Sequence, residues 1–159
     1  MAVDALIAAR ARHAFVGMNK SGQSAIFETL GNHDCHIILR GGKAPNYDKD
    51  SVEAACRLLH SAGLNEKIMI DVSHANSSKD HLKQIAVTQA VCEQISQGSK
   101  ALMGVMIESH LNEGRQQQVT GAPLARGVSI TDPCISFSQT RILLRDLASA
   151  FYSRKTRLN

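Results

Sequence analysis

The stretch that decides the fold is Lys67-Ile-Met-Ile-Asp-Val-Ser-His74, which continues as Ala-Asn-Ser-Ser78. Its apolar run, 68–72, is interrupted only by Asp71 and stops at polar residues of the kind that open a helix. This pattern predicts a buried strand that carries His74 at its carboxyl end. Asp71 lies inside the apolar run, so it must be a paired carboxylate, and we expect its partner to be a cation on a neighbouring strand.

Two further stretches have the same design, an apolar run that ends in a charged residue. They are Cys35-His-Ile-Ile-Leu-Arg40 and Ala101-Leu-Met-Gly-Val-Met-Ile-Glu108. Arg40, His74 and Glu108 are separated by 34 residues and then by 34 again. That interval fits one strand–helix–strand unit, which needs about 30 residues or more. We therefore expect these three side chains next to one another at the carboxyl ends of parallel strands, the edge where α/β folds place their chemistry.

The rest of the chain alternates helices with strands. We predict strands near 14–18, 35–40, 67–73 and 101–108, helices over 2–11, 51–62, 79–96 and 138–154, and a short helix at 24–29. Residues 112–129 are polar and glycine-rich, which predicts a long loop of the kind that is commonly functional. The sequence thus predicts a single α/β domain over residues 1–159, with four parallel strands alternating with helices.

Composition argues against several classes of function. Aromatic residues make up only 4% of the chain, too few for a platform that stacks single-stranded nucleic acid. The basic tail at 154–157 is more typical of a solvated helix end than of a nucleic-acid site. The longest apolar run, 101–107, is far too short to cross a bilayer, and the four cysteines form no C-x-x-C motif. With no basic leader in view, we expect a cytoplasmic protein whose partners include neither nucleic acid nor membrane.

His74, Glu108 and Asp132 form a possible set of nitrogen and oxygen ligands. They are far apart in the sequence, so only parallel-strand geometry would bring them together. A divalent metal with such ligands can polarise a carbonyl group as a Lewis acid. Each residue also has a structural interpretation, since a histidine after a strand is often simply hydrogen-bonded and an aspartate before proline often forms a turn. The residues alone leave both interpretations open.

Arg40 precedes Gly41-Gly42, where glycines would let backbone N–H groups approach an anion while the guanidinium binds it in a bidentate fork. This arrangement predicts an anion site in an enzyme that acts on a phosphosugar or a phosphocarboxylate. A surface arginine in a salt bridge beside a tight turn is an equally good interpretation. His36 is interpreted as a core histidine. His110 is interpreted as a structural residue, with a role as hydrogen-bond partner of a metal ligand as the alternative.

Four long segments extend these motifs along nearly the whole chain. They are Gly31-Asn-His-Asp-Cys-His-Ile-Ile-Leu-Arg-Gly-Gly-Lys-Ala-Pro-Asn-Tyr47, Met69-Ile-Asp-Val-Ser-His-Ala-Asn-Ser-Ser-Lys79, Gly104-Val-Met-Ile-Glu-Ser-His-Leu111 and Gly121-Ala-Pro-Leu-Ala-Arg-Gly-Val-Ser-Ile-Thr-Asp-Pro-Cys134. In this order they resemble class I 3-deoxy-D-arabino-heptulosonate-7-phosphate (DAHP) synthase, most closely its feedback-regulated bacterial and fungal branch.

The resemblance implies a (β/α)8 TIM barrel that condenses phosphoenolpyruvate with erythrose 4-phosphate, the first step of the shikimate pathway. It also implies a divalent metal, Mn²⁺, Fe²⁺, Co²⁺ or Zn²⁺. By motif, Arg40 corresponds to the arginine that holds the phosphoenolpyruvate phosphate. His74, Glu108 and Asp132 correspond to three of the four metal ligands. His74 and Arg40 are thereby implied to be catalytic, and Arg40 and Asp132 to contact substrate.

The family's chain is about twice as long, and the resemblance covers its carboxyl-terminal half. The fourth metal ligand, a cysteine, and further substrate-binding lysines and arginines belong to the other half. An open half of a barrel exposes two sheet edges and an apolar face. We therefore expect the chain to close a pseudo-barrel as a homo-oligomer or to pair with a separate amino-terminal half. The alternative is an inactive truncated or split fragment that binds metal or phosphate or completes a partner's barrel.

Overall fold

The structure is a computed structural model that describes residues 2–157. Residues 1, 158 and 159 of the predicted domain lie outside this range. The helices are α1 (Ala2–Arg10), α2 (Lys49–Ser61), α3 (Gln84–Ser96) and α4 (Phe137–Arg157), with a 3-10 turn at His81–Lys83. The strands are β1 (His13–Met18), β2 (Ser24–Thr29), β3 (Ile37–Leu39), β4 (Ile68–Asp71), β5 (Leu102–Met106), β6 (Ser109–His110) and β7 (Ile135–Ser136).

A parallel sheet with the strand order β3-β4-β5 forms the centre of the molecule. Ile37 pairs with Ile68 on one side of β4, and Asp71 pairs with Met106 on the other. Helix α2 connects β3 to β4, and α3 connects β4 to β5, so each connection is a strand–helix–strand crossover. The α/β class with parallel strands and alternating helices is therefore confirmed for this region.

One face of the sheet is buried against the helices. Ile68, Ile70 and Val72 of the β4 stretch are completely inaccessible to solvent. They belong to a core to which α2 and α3 contribute Val52, Ala55, Leu59, Val87, Val91 and Ile95. Burial of an aliphatic side chain of this size stabilises a fold by about 1.5–3 kcal/mol. The opposite face of the sheet carries Ile38 and Met106, whose side chains are exposed.

The region before the parallel sheet differs from the prediction. Residues 24–29, interpreted as a short helix, form strand β2. Strand β1, predicted to be the first of four parallel strands, pairs with β2 in antiparallel register, with His13 opposite Thr29. The prediction was wrong because the connection between the two runs is short, whereas a parallel crossover needs a dozen residues or more. The parallel sheet of β3, β4 and β5 consequently has three strands.

The turn of this hairpin is closed by one side chain. Asn19 Oδ1 accepts hydrogen bonds from the backbone N–H groups of Ser21 and Gln23, at 2.9 and 3.0 Å. Gly22 adopts a φ of +77°, a conformation that a residue with a Cβ rarely takes. The turn chemistry of 19–22 therefore decides the antiparallel pairing.

The carboxyl-terminal third contains a second small sheet, in which β6 and β7 pair in parallel. Residues 112–129 between them form no helix or strand. The Gln116 side chain joins the two ends of this loop by hydrogen bonds. Its Nε2 donates to the carbonyls of Ala125 and Val128, at 2.8 and 2.9 Å, and its Oε1 accepts from Ala125 N–H at 2.7 Å. In the described part of the chain, no helix has the length and apolar character needed to cross a membrane.

Candidate active site

A cavity of about 680 Å³ opens at the carboxyl edge of the parallel sheet. It contains all four residues singled out from the sequence, which are Arg40, His74, Glu108 and Asp132. Its remaining lining residues are Ser73, Ser77, Lys79, His81, Gln84, Arg115 and Pro133. The cavity thus brings two imidazoles, two carboxylates and the three cationic side chains of Arg40, Lys79 and Arg115 around one space.

Three of these side chains form a compact donor set. One ligand atom from each of His74, Glu108 and Asp132 lies within 4.8 Å of the other two. His74 Nε2 is 3.7 Å from Glu108 Oε1, which is too long for a hydrogen bond. It is within the span of about 4 Å that two ligands of one divalent ion can have at metal–ligand distances near 2.1 Å. An imidazole with two carboxylates is a donor set that several divalent ions accept, so the residues fit such an ion.

His74 lies in an irregular segment that follows strand β4, and not in the strand itself. Strand β4 ends at Asp71, and His74 has a φ of +50°, a left-handed conformation uncommon for a residue with a Cβ. Its Nδ1 lies 2.8 Å from Asp71 Oδ2. Asp71, only 1% exposed, is therefore paired with a histidine three residues further along. The expectation of a cation on a neighbouring strand was wrong, because the left-handed backbone at His74 brings its ring back to Asp71.

Arg40 lies in a turn that packs directly on the segment carrying His74. Gly41 has a φ of +76°, and a Cβ at this position would lie 2.7 Å from Ala75 Cβ and 2.9 Å from Asn76 N. A side chain at position 41 would therefore separate the two loops. Gly41 keeps the arginine turn against the histidine loop, so Arg40 and His74 face the same cavity.

Two asparagines fasten these loops to the sheet. Gly41 N–H donates to Asn46 Oδ1 at 2.7 Å, and Asn46 N–H donates to Asn76 Oδ1 at 2.8 Å. The buried Asn76 amide then donates to the carbonyls of Leu39 and Asp71, at 3.0 and 2.7 Å. The carboxyl ends of β3 and β4 are joined through one side chain, which adds rigidity below the cavity.

The backbone of Glu108 is held in place by hydrogen bonds with the side chain of Gln84. Gln84, the first residue of α3, is fully buried. Its Oε1 accepts from Glu108 N–H at 2.8 Å, and its Nε2 donates to Glu108 carbonyl oxygen at 3.2 Å. Beyond the end of β5, the Gln84 amide thus satisfies both backbone groups of the proposed ligand. Residues 79–83, predicted to be helical, instead form a turn because Ser78 and Lys79 have positive φ and Asp80 caps Leu82.

Cys134 is a residue near the site that the sequence interpretation did not assign. Its Sγ lies 4.0 Å from Glu108 Oε2, and the residue is buried. Burial raises the pKa of the Cys134 thiol above its usual value, opposed by a hydrogen bond with Ser129, while the charges of Glu108 and Asp132 raise it further. The thiol form is therefore favoured at neutral pH. Its position two residues after Asp132 was the sequence signal available.

The two other histidines weighed from the sequence lie elsewhere. His36 is half-buried beside β3 and is not part of the core cluster. His110 is exposed, and its Nδ1 lies 2.6 Å from Gly127 carbonyl oxygen, so it helps to close the base of the long loop. Neither residue lines the cavity.

Comparison with known proteins identifies close relatives along nearly the whole chain. The family described as "DAHP synthetase I family" matches residues 1–145. The chain is 54% identical over 155 residues to the Phe-sensitive phospho-2-dehydro-3-deoxyheptonate aldolase of Escherichia coli (strain K12), covering 98% of this chain and 44% of that protein. It is 47% identical over 154 residues to the Trp-sensitive enzyme of Salmonella typhimurium, covering 97% and 44%.

A solved structure is similar in fold as well. The phospho-2-dehydro-3-deoxyheptonate aldolase from Francisella tularensis SCHU S4 superimposes with a TM-score of 0.89 at 47% sequence identity. The match covers 96% of this chain and 45% of that one. The chain thus spans less than half the length of the relatives that it matches.

Proposed function

Because the chain belongs to the DAHP synthetase I family, we propose that it supplies one half of the active site of a phosphoenolpyruvate–erythrose 4-phosphate condensing enzyme. The products are DAHP and phosphate. The observation that carries the proposal is the meeting of His74, Glu108 and Asp132 within 4.8 Å in a cavity that Arg40 also lines. These residues correspond, motif by motif, to those that the family uses.

The proposed roles follow from side-chain chemistry. Arg40 binds the phosphate of phosphoenolpyruvate, because a guanidinium forms two parallel hydrogen bonds to phosphate oxygens. Asp132 is exposed at the mouth of the cavity and also contacts the incoming sugar phosphate. Arg115 and Lys79, further cationic residues of the cavity wall, favour the entry of two anionic substrates.

His74, Glu108 and Asp132 would hold a divalent ion, with Mn²⁺, Fe²⁺, Co²⁺ and Zn²⁺ as candidates. Such an ion, when bound, supplies Lewis-acid polarisation of the aldehyde of erythrose 4-phosphate. The two carboxylates would compensate the charge of the ion, and His74 would contribute a nitrogen donor. The buried Gln84 and Asp71 keep two of these ligands in place before substrate arrives.

The reaction forms one carbon–carbon bond and breaks one bond to phosphate. C3 of phosphoenolpyruvate attacks the aldehyde carbon of erythrose 4-phosphate, and the aldehyde oxygen takes up a proton. Water adds at C2, and phosphate leaves as the C2 carbonyl forms. Arg40 is suited to this sequence because it stabilises the phosphate both as substrate group and as leaving group.

We further propose that residues 1–159 act as one half of a TIM barrel. The open sheet face with Ile38 and Met106 supports this idea, since both apolar side chains lack a covering layer in the described residues. A separate amino-terminal half is the preferred partner, and a homo-oligomeric pseudo-barrel is the alternative. The four free cysteines fit a cytoplasmic setting.

The proposal is tested by co-expressing the chain with the amino-terminal half of the Escherichia coli Phe-sensitive relative. We expect the chain alone, assayed with both substrates and Mn²⁺, to release little phosphate. The co-purified halves should release phosphate, and His74→Ala should abolish this while His33→Ala, an exposed histidine outside the cavity, retains it.

Two results would change this view. Stable co-purification without phosphate release would contradict the proposed activity. Turnover by the chain alone, with a mass in solution twice that of the monomer, would replace the separate partner by the homo-oligomeric pseudo-barrel.

A further inference from the structure

We propose that Asp71 is a positioning residue that holds His74 in the tautomer protonated at Nδ1, leaving the Nε2 lone pair free for a divalent ion. The inference rests on the proposed metal site. Asp71 itself does not line the cavity, so it would act only through His74. Carboxylate–histidine–metal arrangements are a general means of orienting a ligand ring.

The hydrogen bonds around Asp71 determine which atom carries the proton. Oδ1 of Asp71 accepts from the backbone N–H of Ser73 at 2.9 Å and from its hydroxyl at 2.5 Å. Oδ2 is left facing His74 Nδ1 at 2.8 Å. Both hydrogen bonds to Oδ1 are donated by Ser73, and the oxygens of a carboxylate act as acceptors. Nδ1 must then be the donor, because two acceptors at 2.8 Å would repel each other.

Ser73 is consistent with the same tautomer. Its Oγ lies 2.7 Å from His74 Nδ1. Because the hydroxyl proton points to Asp71 Oδ1, the Oγ lone pair is available to share the Nδ1–H proton. The alternative, in which Ser73 donates to an Nδ1 without a proton, would give up the shorter hydrogen bond to Asp71 Oδ1 and leave Oδ2 facing a lone pair.

The backbone supports this assignment. The φ of +50° at His74 turns the ring back towards β4, so a residue only three positions away can reach Nδ1. Lys79 N–H donates to His74 carbonyl oxygen at 2.7 Å and closes the turn. With Nδ1 engaged behind it, the ring presents Nε2 to the cavity, 3.7 Å from Glu108 Oε1.

The decisive measurement is the tautomer of His74 in the metal-free, ¹⁵N-labelled 159-residue chain. Long-range ¹H–¹⁵N correlation spectra at about pH 8.5, above the usual titration range of imidazole, distinguish a protonated Nδ1 from a protonated Nε2. The His74 signals are identified by their absence from His74→Gln. We expect a protonated Nδ1. A protonated Nε2 would overturn the proposal, and this measurement needs no substitution at Asp71.

The second measurement is Co²⁺ affinity, followed by the visible absorption of the bound ion. Asp71→Asn turns an NH₂ group or an uncharged oxygen towards Nδ1, so we expect the other tautomer to be populated and affinity to fall about 10–100-fold. Asp50→Asn is the matched control, since it makes the same change at an exposed carboxylate outside the cavity. It should keep the tautomer and bind Co²⁺ within about threefold of the wild type. Equal losses in both variants would overturn the proposal.

The two proposals fail in different ways. A wild-type chain that shows a protonated Nδ1 but binds no Co²⁺ would overturn the proposed metal site and leave the tautomer assignment standing. A wild-type chain that binds Co²⁺, with Asp71→Asn folded and binding equally well, would overturn the role of Asp71 and leave the metal site standing.

Discussion

The parallel sheet and the β1–β2 hairpin are both rich in apolar residues, but they bury them to opposite extents. Ile68 and Ile70 in the sheet have no exposed surface, whereas Val16 and Ile26 in the hairpin are 76% and 74% exposed. The sheet is covered on one face by its own crossover helices. The hairpin has cross-strand contacts, such as the stacked rings of Phe15 and Phe27 at 5.8 Å, but no covering layer in the described residues.

This difference shows that an apolar strand pattern in the sequence predicts an extended backbone but does not predict how stable the resulting sheet is. An isolated two-stranded ribbon is at best marginally stable in water, whereas a sheet covered by helices has its own core. The candidate site lies on the covered sheet. The exposed hairpin, in contrast, is a surface whose apolar side chains remain available for contact.

The largest expected effect comes from removing equivalent aliphatic bulk in the two regions. Ile70→Ala should lower the free energy of unfolding by about 3 kcal/mol, because it leaves a cavity under two helices. Val16→Ala should change it by less than about 0.5 kcal/mol. Urea unfolding of both variants measures the difference, and similar losses would mean that the hairpin is buried in solution.

Two glycines, Gly22 and Gly41, allow the cost of backbone strain to be compared with the cost of a steric clash. Gly41 and Gly22 have nearly equal positive φ, +76° and +77°, but only at Gly41 would a Cβ meet neighbouring atoms. We expect Gly22→Ala to cost about 1 kcal/mol, from conformation alone. Gly41→Ala should cost about 2–3 kcal/mol and also weaken binding of inorganic phosphate at Arg40. Equal thermal shifts in the two variants would refute the close contact between the loops.

Side-chain amides that bind backbone groups give a smaller contrast. Gln84→Leu leaves the Glu108 N–H without its partner, although the Glu108 carbonyl still accepts from Ile135 N–H at 3.0 Å, and should cost about 2 kcal/mol. Asn19→Ala removes two similar hydrogen bonds from an accessible turn, where water substitutes, and should cost about 0.5–1 kcal/mol. Chemical denaturation ranks the two. If Asn19→Ala proves the more damaging, the hairpin turn matters more than its exposure indicates.

The smallest effect concerns the cap of helix α2, which covers the sheet. Hydrogen bonds from the Ser51 hydroxyl and N–H hold the pKa of Asp48 below its usual value. A lowered pKa means that the charged cap contributes stability above the ordinary carboxyl range, and that this contribution is lost as pH falls through the lowered pKa. Asp48→Ala should cost about 1 kcal/mol at neutral pH and less in acid.

Asp48→Asn is the matched control for this prediction. Asparagine retains the capping geometry without a titrating group, so its difference from Asp48→Ala should stay constant with pH. Thermal unfolding between neutral and acidic pH provides the comparison. A constant difference between wild type and Asp48→Ala over the same range would contradict the role of the charge.

Much of the central sheet was predictable because its information is local and periodic. Three apolar runs at equal spacing predicted β3, β4 and β5, and their last polar residues predicted the edge where Arg40, His74 and Glu108 lie. The runs at 13–18 and 24–29 were harder, because short apolar runs fit both a helix and a strand. The deciding signal was the side chain of Asn19, which closes the turn.

The supporting residues of the site were not predictable from spacing. Gln84 acts on Glu108, 24 residues away, and Asn76 acts on Leu39, 37 residues away. Both bind backbone groups, which leave no side-chain pattern in the sequence. Asp71 was identified as a buried carboxylate in need of a partner. Its true partner depended on the left-handed backbone at His74, which a polar residue in a loop does not reveal.

The contact of Gly41 with Ala75 and Asn76 has a consequence for protein engineering. The loops at 40–46 and 74–79 are joined by a hydrogen bond, and at Gly41 there is no room for a side chain between them. The two loops can therefore be transferred to another protein only as one unit. Grafting only one of them onto another protein would leave Asn46 or Asn76 without its counterpart. A library that changes the surroundings of Arg40 should therefore vary both loops together, with position 41 kept as glycine.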